Sequence, residues 1–332
     1  MDFSASPENP VLVIGAAGVD MVGRLRSELQ MGGSNPSQIR VSFGGVARNV
    51  AENLARLGHP VQLITAVGND ANGEALLSHT GAAGVDVAAA VRCEQYPTGA
   101  YLATIDARGA LQFALDDMRA ISALTPELLD QRAELFAGAS MLFVDANLSP
   151  AALRHALSLA RKARLPVCAD PTSRALARRL APHLSRLNLV TPNLTEALEL
   201  CGLPAVPGTA VPGTDGHETD GAGAAMVDAG LATARSLVNH GVSIAIVTLG
   251  PGGVAYAASE SRGHVPALRT DLVDPTGGGD ALTAAVIFAL LNGIPLDDAV
   301  RLGVSAATLT LRYPDSVAPD LTREKLDDEL VI

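Results

Sequence analysis

Asp274-Pro275-Thr276-Gly277-Gly278-Gly279-Asp280 runs directly into the apolar segment Ala281-Leu282-Thr283-Ala284-Ala285-Val286-Ile287-Phe288. Three consecutive glycines add no side chain to a core, but they let backbone N–H groups approach an anion closely. The apolar segment reads as a helix, and its N-terminus adds the positive end of a macrodipole. Asp280 falls where that helix starts. Its carboxylate can cap the helix or face a bound hydroxyl. An anion pocket with an acid at its lip suits phosphoryl transfer to an alcohol. A plain Gly-rich turn with an N-cap Asp is the other reading.

Outward from this stretch, short apolar runs alternate with helical patterns. Val11-Leu12-Val13-Ile14, Val61-Gln62-Leu63-Ile64, Met141-Leu142-Phe143-Val144, Pro166-Val167-Cys168-Ala169, Leu187-Asn188-Leu189-Val190 and Ile244-Ala245-Ile246-Val247 read as buried strands. Residues 150–163 and 226–240 read as amphipathic helices. The alternation predicts one α/β domain over residues 1–332, with a mostly parallel sheet flanked by helices. Ligands of such sheets sit at the carboxyl ends of the strands. Two segments break the rhythm. Residues 20–43 hold no long core run, and residues 98–115 read as a hairpin turning at Asp106-Ala107-Arg108-Gly109. Together they suggest a small β lid. Residues 203–223, rich in Gly, Pro, Thr and Ala, read as a flexible surface insertion.

Other motifs carry chemistry at strand ends. Asp20 follows the first strand, and its carboxylate can accept two vicinal hydroxyls or serve as a turn residue. The surrounding glycines do not make a dinucleotide fingerprint, because Ser34-Asn35-Pro36-Ser37-Gln38 stands where an acidic residue belongs. Gly44-Gly45 precedes a helix with Val46, Val50, Leu54 and Leu57 on one face and Gly58 past its end. Asn193 and Glu196, three apart, can cap a helix or offer oxygens to Mg²⁺. Thr248-Leu249-Gly250-Pro251-Gly252-Gly253 ends another strand, and no Gly-x-x-x-x-Gly-Lys-Ser/Thr loop occurs.

From residue 11 to about 311, these motifs resemble the ribokinase-like (PfkB) carbohydrate kinases. That resemblance implies a ribokinase-like α/β fold and an ATP-dependent phosphotransferase with an alcohol acceptor. It implies Asp280 as the base and the N–H groups of Gly277, Gly278 and Gly279 as the anion pocket. Asp20, Gly44, Gly45 and Asn49 would hold the sugar. Asn193, Glu196, Thr248, Gly250, Gly253, Gly277 and Gly279 would hold ATP, and Asn193 and Glu196 would carry Mg²⁺, partly through water. K⁺ is implied beside Asp274 and Thr276. Within the family, Ser34-Asn35-Pro36, the run from Thr98 to Leu102, Asp117-Met118 and Asp145-Ala146-Asn147 look most like the pseudouridine-phosphorylating branch. Ser34, Asn35, Thr98 and Asn147 are then candidate readers of the base. Some members of that branch carry a Lys shortly after the Asp-Pro-Thr-Ser string, where Arg174 is the nearest cation of this chain. A kinase for ribose, adenosine or a keto-deoxy sugar, and a non-catalytic nucleoside-binding protein, are the alternatives.

Composition narrows the partners to small molecules. The 332 residues carry a net charge of −11 and no Trp, and aromatics are 3%. An acidic, aromatic-poor chain lacks both counterion-release affinity and stacking platforms for nucleic acid. Arg174, Arg178 and Arg179 read as a solvated face. Cys93, Cys168 and Cys201 have no metal-ligand spacing and read as reduced thiols. The N-terminus resembles no signal peptide, and the longest apolar run, residues 281–291, is too short to span a bilayer. A cytoplasmic enzyme is expected, with a homodimer through the lid.

Overall fold

The computed structural model describes residues 8–106, 110–205 and 220–331. Most of the 203–223 insertion and the turn residues 107–109 lie outside the described residues. Its strands are β1 (Val11–Ile14), β2 (Gly18–Leu25), β3 (Ser37–Gly44), β4 (Val61–Ile64), β5 (Ala66–Gly68), β6 (Val91–Cys93), β7 (Gly99–Ile105), β8 (Leu111–Asp117), β9 (Met141–Asp145), β10 (Val167–Asp170), β11 (Leu189–Val190), β12 (Ile244–Thr248), β13 (Val254–Ala258) and β14 (Arg262–Val265).

Eight of them form the central sheet in the order β14-β13-β12-β11-β10-β9-β1-β4. All its pairings are parallel except those of β13 with β12 and β14. Continuous apolar runs form these strands because both faces are covered. Val11, Val13, Met141 and Phe143 pack on one side with the helices Val46–Arg56, Gly278–Leu291 and Leu296–Thr310. Leu12, Ile14, Leu142 and Val144 pack on the other, with the helices Pro150–Ala163, Arg174–Leu180 and Leu194–Leu200. No helix among the described residues is long and apolar enough to cross a membrane.

A second, four-stranded sheet has the order β3-β2-β7-β8. Residues 20–43, which carried no strand signal, supply most of its two eight-residue strands. The core rule fails here because one face of this sheet is uncovered. Ile39 is 68% exposed and Val41 59%, and Leu102, Phe113 and Leu115 are exposed as well. Apolar content therefore does not mark what is buried in this sheet.

Candidate active site

The carboxyl ends of the parallel strands converge on one cleft. Asp145 ends β9, Asp170 ends β10 and Thr248 ends β12. Asp145, fully buried, is a staple for the site. Its Oδ2 accepts the N–H of Ala16 at 2.7 Å and of Ala47 at 3.2 Å, and its Oδ1 accepts the N–H of Asn147 at 2.9 Å. A side chain at Gly15 would collide with this carboxylate. One acid thus joins the β1–β2 turn, the start of the helix Val46–Arg56 and the loop after β9. The sequence singled it out only as part of a longer string.

The paired glycines set the next contacts. Gly45 has φ +96°, and a Cβ there would strike the backbone of Ala16 and Ala17. A Cβ on Gly44 would overlap the Asp20 carboxylate. Both positions therefore need glycine for the strand–helix corner to close on Asp20. Burial pushes the Asp20 carboxyl up to about 6, against the lowering effect of the Arg48 and Arg40 guanidinium groups. Ser316 also hydrogen-bonds to it.

Asp280 is not a helix cap. The helix starts at Gly278, and Gly277 holds the N-cap position at φ +81° with no side-chain cap. Asp280, in the first turn, accepts a 2.7 Å hydrogen bond on Oδ2 from Asn49 Nδ2. Burial pushes its carboxyl up to about 7. Asn49 and Arg48 oppose that rise, whereas Asp145 and Asp20 add to it. The N–H groups of the first helical turn have no intrahelical acceptor. Beside them a Cβ on Gly279 would stand in open space, so the backbone is accessible. The arrangement joins a carboxyl that burial raises to an uncapped helix N-terminus.

On the other flank, Asn193 and Glu196 form a capping box. Asn193 Oδ1 accepts the Glu196 N–H at 3.0 Å, and Glu196 Oε2 accepts the Asn193 N–H at 2.9 Å. Asn193 bridges to Thr248, which brings two expected nucleotide contacts side by side. Gly250 and Gly253 both have positive φ, and a Cβ on Gly253 would strike the Val265 carbonyl. Burial raises the Glu196 carboxyl, and burial together with the charge of Glu196 raises Asp170 well above its ordinary value.

Other expected contacts fall elsewhere. The Thr98 hydroxyl donates to Asp70 Oδ1 at 2.6 Å and accepts the Gly68 N–H, so it is spent on a loop under the helix Ala71–Ala82. Asn35 closes its own turn through Gln30 and Gly33. Ser34 and Asn35 both lie beyond the Leu25–Ser37 pair, five register steps from Asp20–Ser42. That is roughly 16 Å along the strands. Asn147 is held near the strand ends by Thr172, at 3.3 Å. Arg174 and Arg178 are exposed and pair with Glu199. Arg179 is not part of a solvated face, for it donates to the carbonyls of Ala146, Asn147 and Leu148.

Register supplies what the sequence lacked. Ser42, Asp20, Tyr101 and Asp116 are aligned across β3, β2, β7 and β8 in one rung of the second sheet. Aligned residues share a face. The face that carries Asp20 therefore also presents a phenol and a second carboxylate. The Tyr101 hydroxyl is raised by burial and by Asp20 and Asp116.

An uncapped helix N-terminus beside a half-buried carboxyl, at the carboxyl edge of a parallel sheet, suits phosphoryl transfer to a hydroxyl. The chain belongs to the pfkB family of carbohydrate kinases, whose model matches residues 9–323. It is therefore an enzyme that phosphorylates a hydroxyl group, with a ribokinase-like fold. Pseudouridine kinase of Escherichia coli (strain K12) is 32% identical over 316 residues, covering 94% of this chain and 93% of that protein. Guanosine-inosine kinase of Exiguobacterium acetylicum is 28% identical, covering 90% and 93%. Among solved structures, a carbohydrate kinase from Agrobacterium tumefaciens superposes with a TM-score of 0.79 at 27% identity over 97% of both chains.

Proposed function

We propose that this kinase transfers the γ-phosphoryl group of ATP to the 5′-hydroxyl of a ribosyl nucleoside, pseudouridine foremost. The observation that carries the reading is Asp280, bonded to Asn49 and seated beside the bare N-terminal turn of the helix Gly278–Leu291. Asp20 accepts ribose hydroxyls against Gly44. Asp280 takes the proton of the attacking hydroxyl. The N–H groups of Gly277, Gly278 and Gly279 meet the charge that develops on the transferring group. The triphosphate lies along the stretch from Thr248 to Gly253.

The Glu196 carboxyl, raised by burial, and the Asp170 carboxyl, raised by burial and by the charge of Glu196, suit a Mg²⁺ ion held through its water shell on the Asn193–Glu196 side. When bound, that ion neutralises phosphate charge. The Asp274 side chain does not fit K⁺. Its carboxylate pairs with Arg40 and accepts the N–H and hydroxyl of Thr276. The sheet β3-β2-β7-β8 acts as the lid that excludes water from the transfer. Its exposed apolar face, with Ile39, Val41 and Phe113, supports a homodimer through the lid.

Asp20→Ala is expected to weaken nucleoside affinity about tenfold to a hundredfold, since a hydrogen bond to a charged group is worth roughly 1.5–3 kcal/mol. Calorimetry with pseudouridine checks this, and unchanged affinity places the ribose elsewhere.

Base choice rests on the Asp20 rung. Pseudouridine presents a ring N–H where uridine has a carbon, so a ribose grip alone cannot separate them. Tyr101 and Asp116 lie on the Asp20 face, and a carboxylate there accepts such an N–H. We expect kcat/KM for pseudouridine to exceed that for uridine strongly, because uridine leaves the acceptor unpaired. Asp116→Asn should narrow the gap. The 28% identity to a guanosine-inosine kinase favours purine nucleosides as the second reading. Equal kcat/KM values for pseudouridine and uridine, or a preference for inosine, would select that reading.

A further inference from the structure

Arg48 has no part in the transfer described above, yet it stands among the largest fully buried side chains of the described residues. Its Nη1 donates to Glu52 Oε2 at 2.5 Å. Its Nη2 donates to the Phe43 carbonyl at 2.9 Å and to Asn49 Oδ1 at 2.5 Å. Its Nε has no partner. A guanidinium this deep costs stability unless its partners recover the lost hydration. Glu52 recovers only part of it, because Glu52 is shared. Arg56 bonds the same carboxylate at 2.7 and 3.0 Å, and His79 approaches to 3.6 Å. Part of the Arg48 charge is therefore left for its other neighbours.

Those neighbours are the site acids. Arg48 interacts with Glu52 on its own helix, with Asp20 of β2 and with Asp280 of the helix Gly278–Leu291. Asp280 in turn faces Asp20, Asp145 of β9 and Asp170 of β10, all acidic. The Arg48 guanidinium opposes the rise of the Asp280 carboxyl that burial causes. The hydrogen bonds run in one direction, from Arg48 to Asn49 Oδ1 and from Asn49 Nδ2 to Asp280 Oδ2. With a guanidinium on Oδ1, a flipped amide would press its NH₂ against a donor. Asn49 therefore has one orientation, and Asp280 Oδ1 is left to meet the substrate hydroxyl.

We infer that Arg48 is a positioning residue for the base: it fixes the Asn49 amide against Asp280 and sets a positive charge beside the Asp280 carboxyl. The inference rests on the reading of Asp280 as the base. A cavity of about 250 Å³ borders Arg48, Glu52 and His79, so a shorter side chain at 48 has room to be hydrated.

The test is the pH profile of kcat/KM with pseudouridine and MgATP for wild type, Arg48→Met, Arg48→Lys, Glu52→Gln and Asp280→Asn. Arg48→Met removes both the fork and the charge. Its acid limb should move up by roughly one to three pH units, since a nearby opposite charge lowers a carboxyl by that much. At pH 7 the rate should then fall about fivefold or more, and most of it should return at alkaline pH. Arg48→Lys keeps the charge and should restore the limb without restoring the full rate. Glu52→Gln leaves the Arg48 charge less neutralised and should move the limb down. A uniform loss across pH with an unmoved limb in Arg48→Met means that Arg48 only packs, and overturns the inference. If Arg48→Met fails to fold, Glu52→Gln decides alone: a downward limb supports the inference and an unmoved limb overturns it. Asp280→Asn separates the two claims. If it keeps more than about a tenth of the rate, the base assignment fails, whatever Arg48 does.

Discussion

Asp280→Asn is expected to lower kcat about 10²- to 10⁴-fold, the contribution of a positioned general base, while nucleoside binding survives. The asparagine oxygen can still accept from Asn49 Nδ2, so the geometry is kept and the proton acceptor is lost. The wild-type carboxyl, raised by burial to about 7, gives a matching pH dependence. As the proposed base, Asp280 must be ionised to act, so kcat/KM should rise as pH passes about 7, with Asp20 adding a lower step near 6. Stability runs the other way. The native carboxyl holds its proton at pH values where the unfolded chain has released it. The stability that Asp280 contributes is therefore full below about 3.8, its ordinary value, and is lost as pH rises through about 7. At pH 8 the asparagine variant should melt no lower than wild type, and the two curves should converge in acid. A variant that is dead and also unstable at pH 8 would point to a structural role instead.

Gly277→Ala should have the next largest effect. Gly277 sits at φ +81° in the N-cap position, and a Cβ would overlap the backbone carbonyl of Ser316. A non-glycine residue in the left-handed region costs about 1–3 kcal/mol by itself. Moving Ser316 would also disturb its hydrogen bond to Asp20, so the proposed anion pocket and the proposed sugar grip shift together. Removing one well-aimed donor costs about 10²- to 10³-fold in kcat, and Gly277→Ala should reach that with a lower melting temperature. Gly279→Ala is the control for folding, because its Cβ meets open space. It should melt like wild type and lose turnover only through a narrowed approach for phosphate. Wild-type kcat in Gly277→Ala would show that the glycine run is not the anion pocket.

The central sheet was legible because burial on both faces turns each strand into an unbroken apolar run, as in residues 11–14 and 141–144. The helix from Gly278 was legible for the same reason. The second sheet was not. Its inner face carries Asp20, Arg40 and Tyr101, and its outer face leaves Ile39 and Val41 exposed, so its pattern contradicts the burial rule. Tyr101 and Asp116 become neighbours of Asp20 only through strand register, which a single sequence does not print. Thr98 and Asn35 were drawn in by resemblance, which carries no information about side-chain direction. The structure spends both on local hydrogen bonds. Arg48 leaves only a weak trace in the sequence: a cation among Ala47, Val50 and Ala51, with Glu52 four residues on. Such an i, i+4 pair is ordinarily a surface feature, and here both partners are 2% exposed.

Nucleoside kinase activity itself is tested most directly by ADP release from MgATP with pseudouridine, uridine, guanosine, inosine and ribose as acceptors, followed by locating the phosphate on the product. We expect ADP release to depend on the nucleoside, to be fastest with pseudouridine, to yield the 5′-phosphate and to vanish in Asp280→Asn. ADP release that is the same with and without every acceptor, or that persists in Asp280→Asn, would contradict phosphoryl transfer at this site.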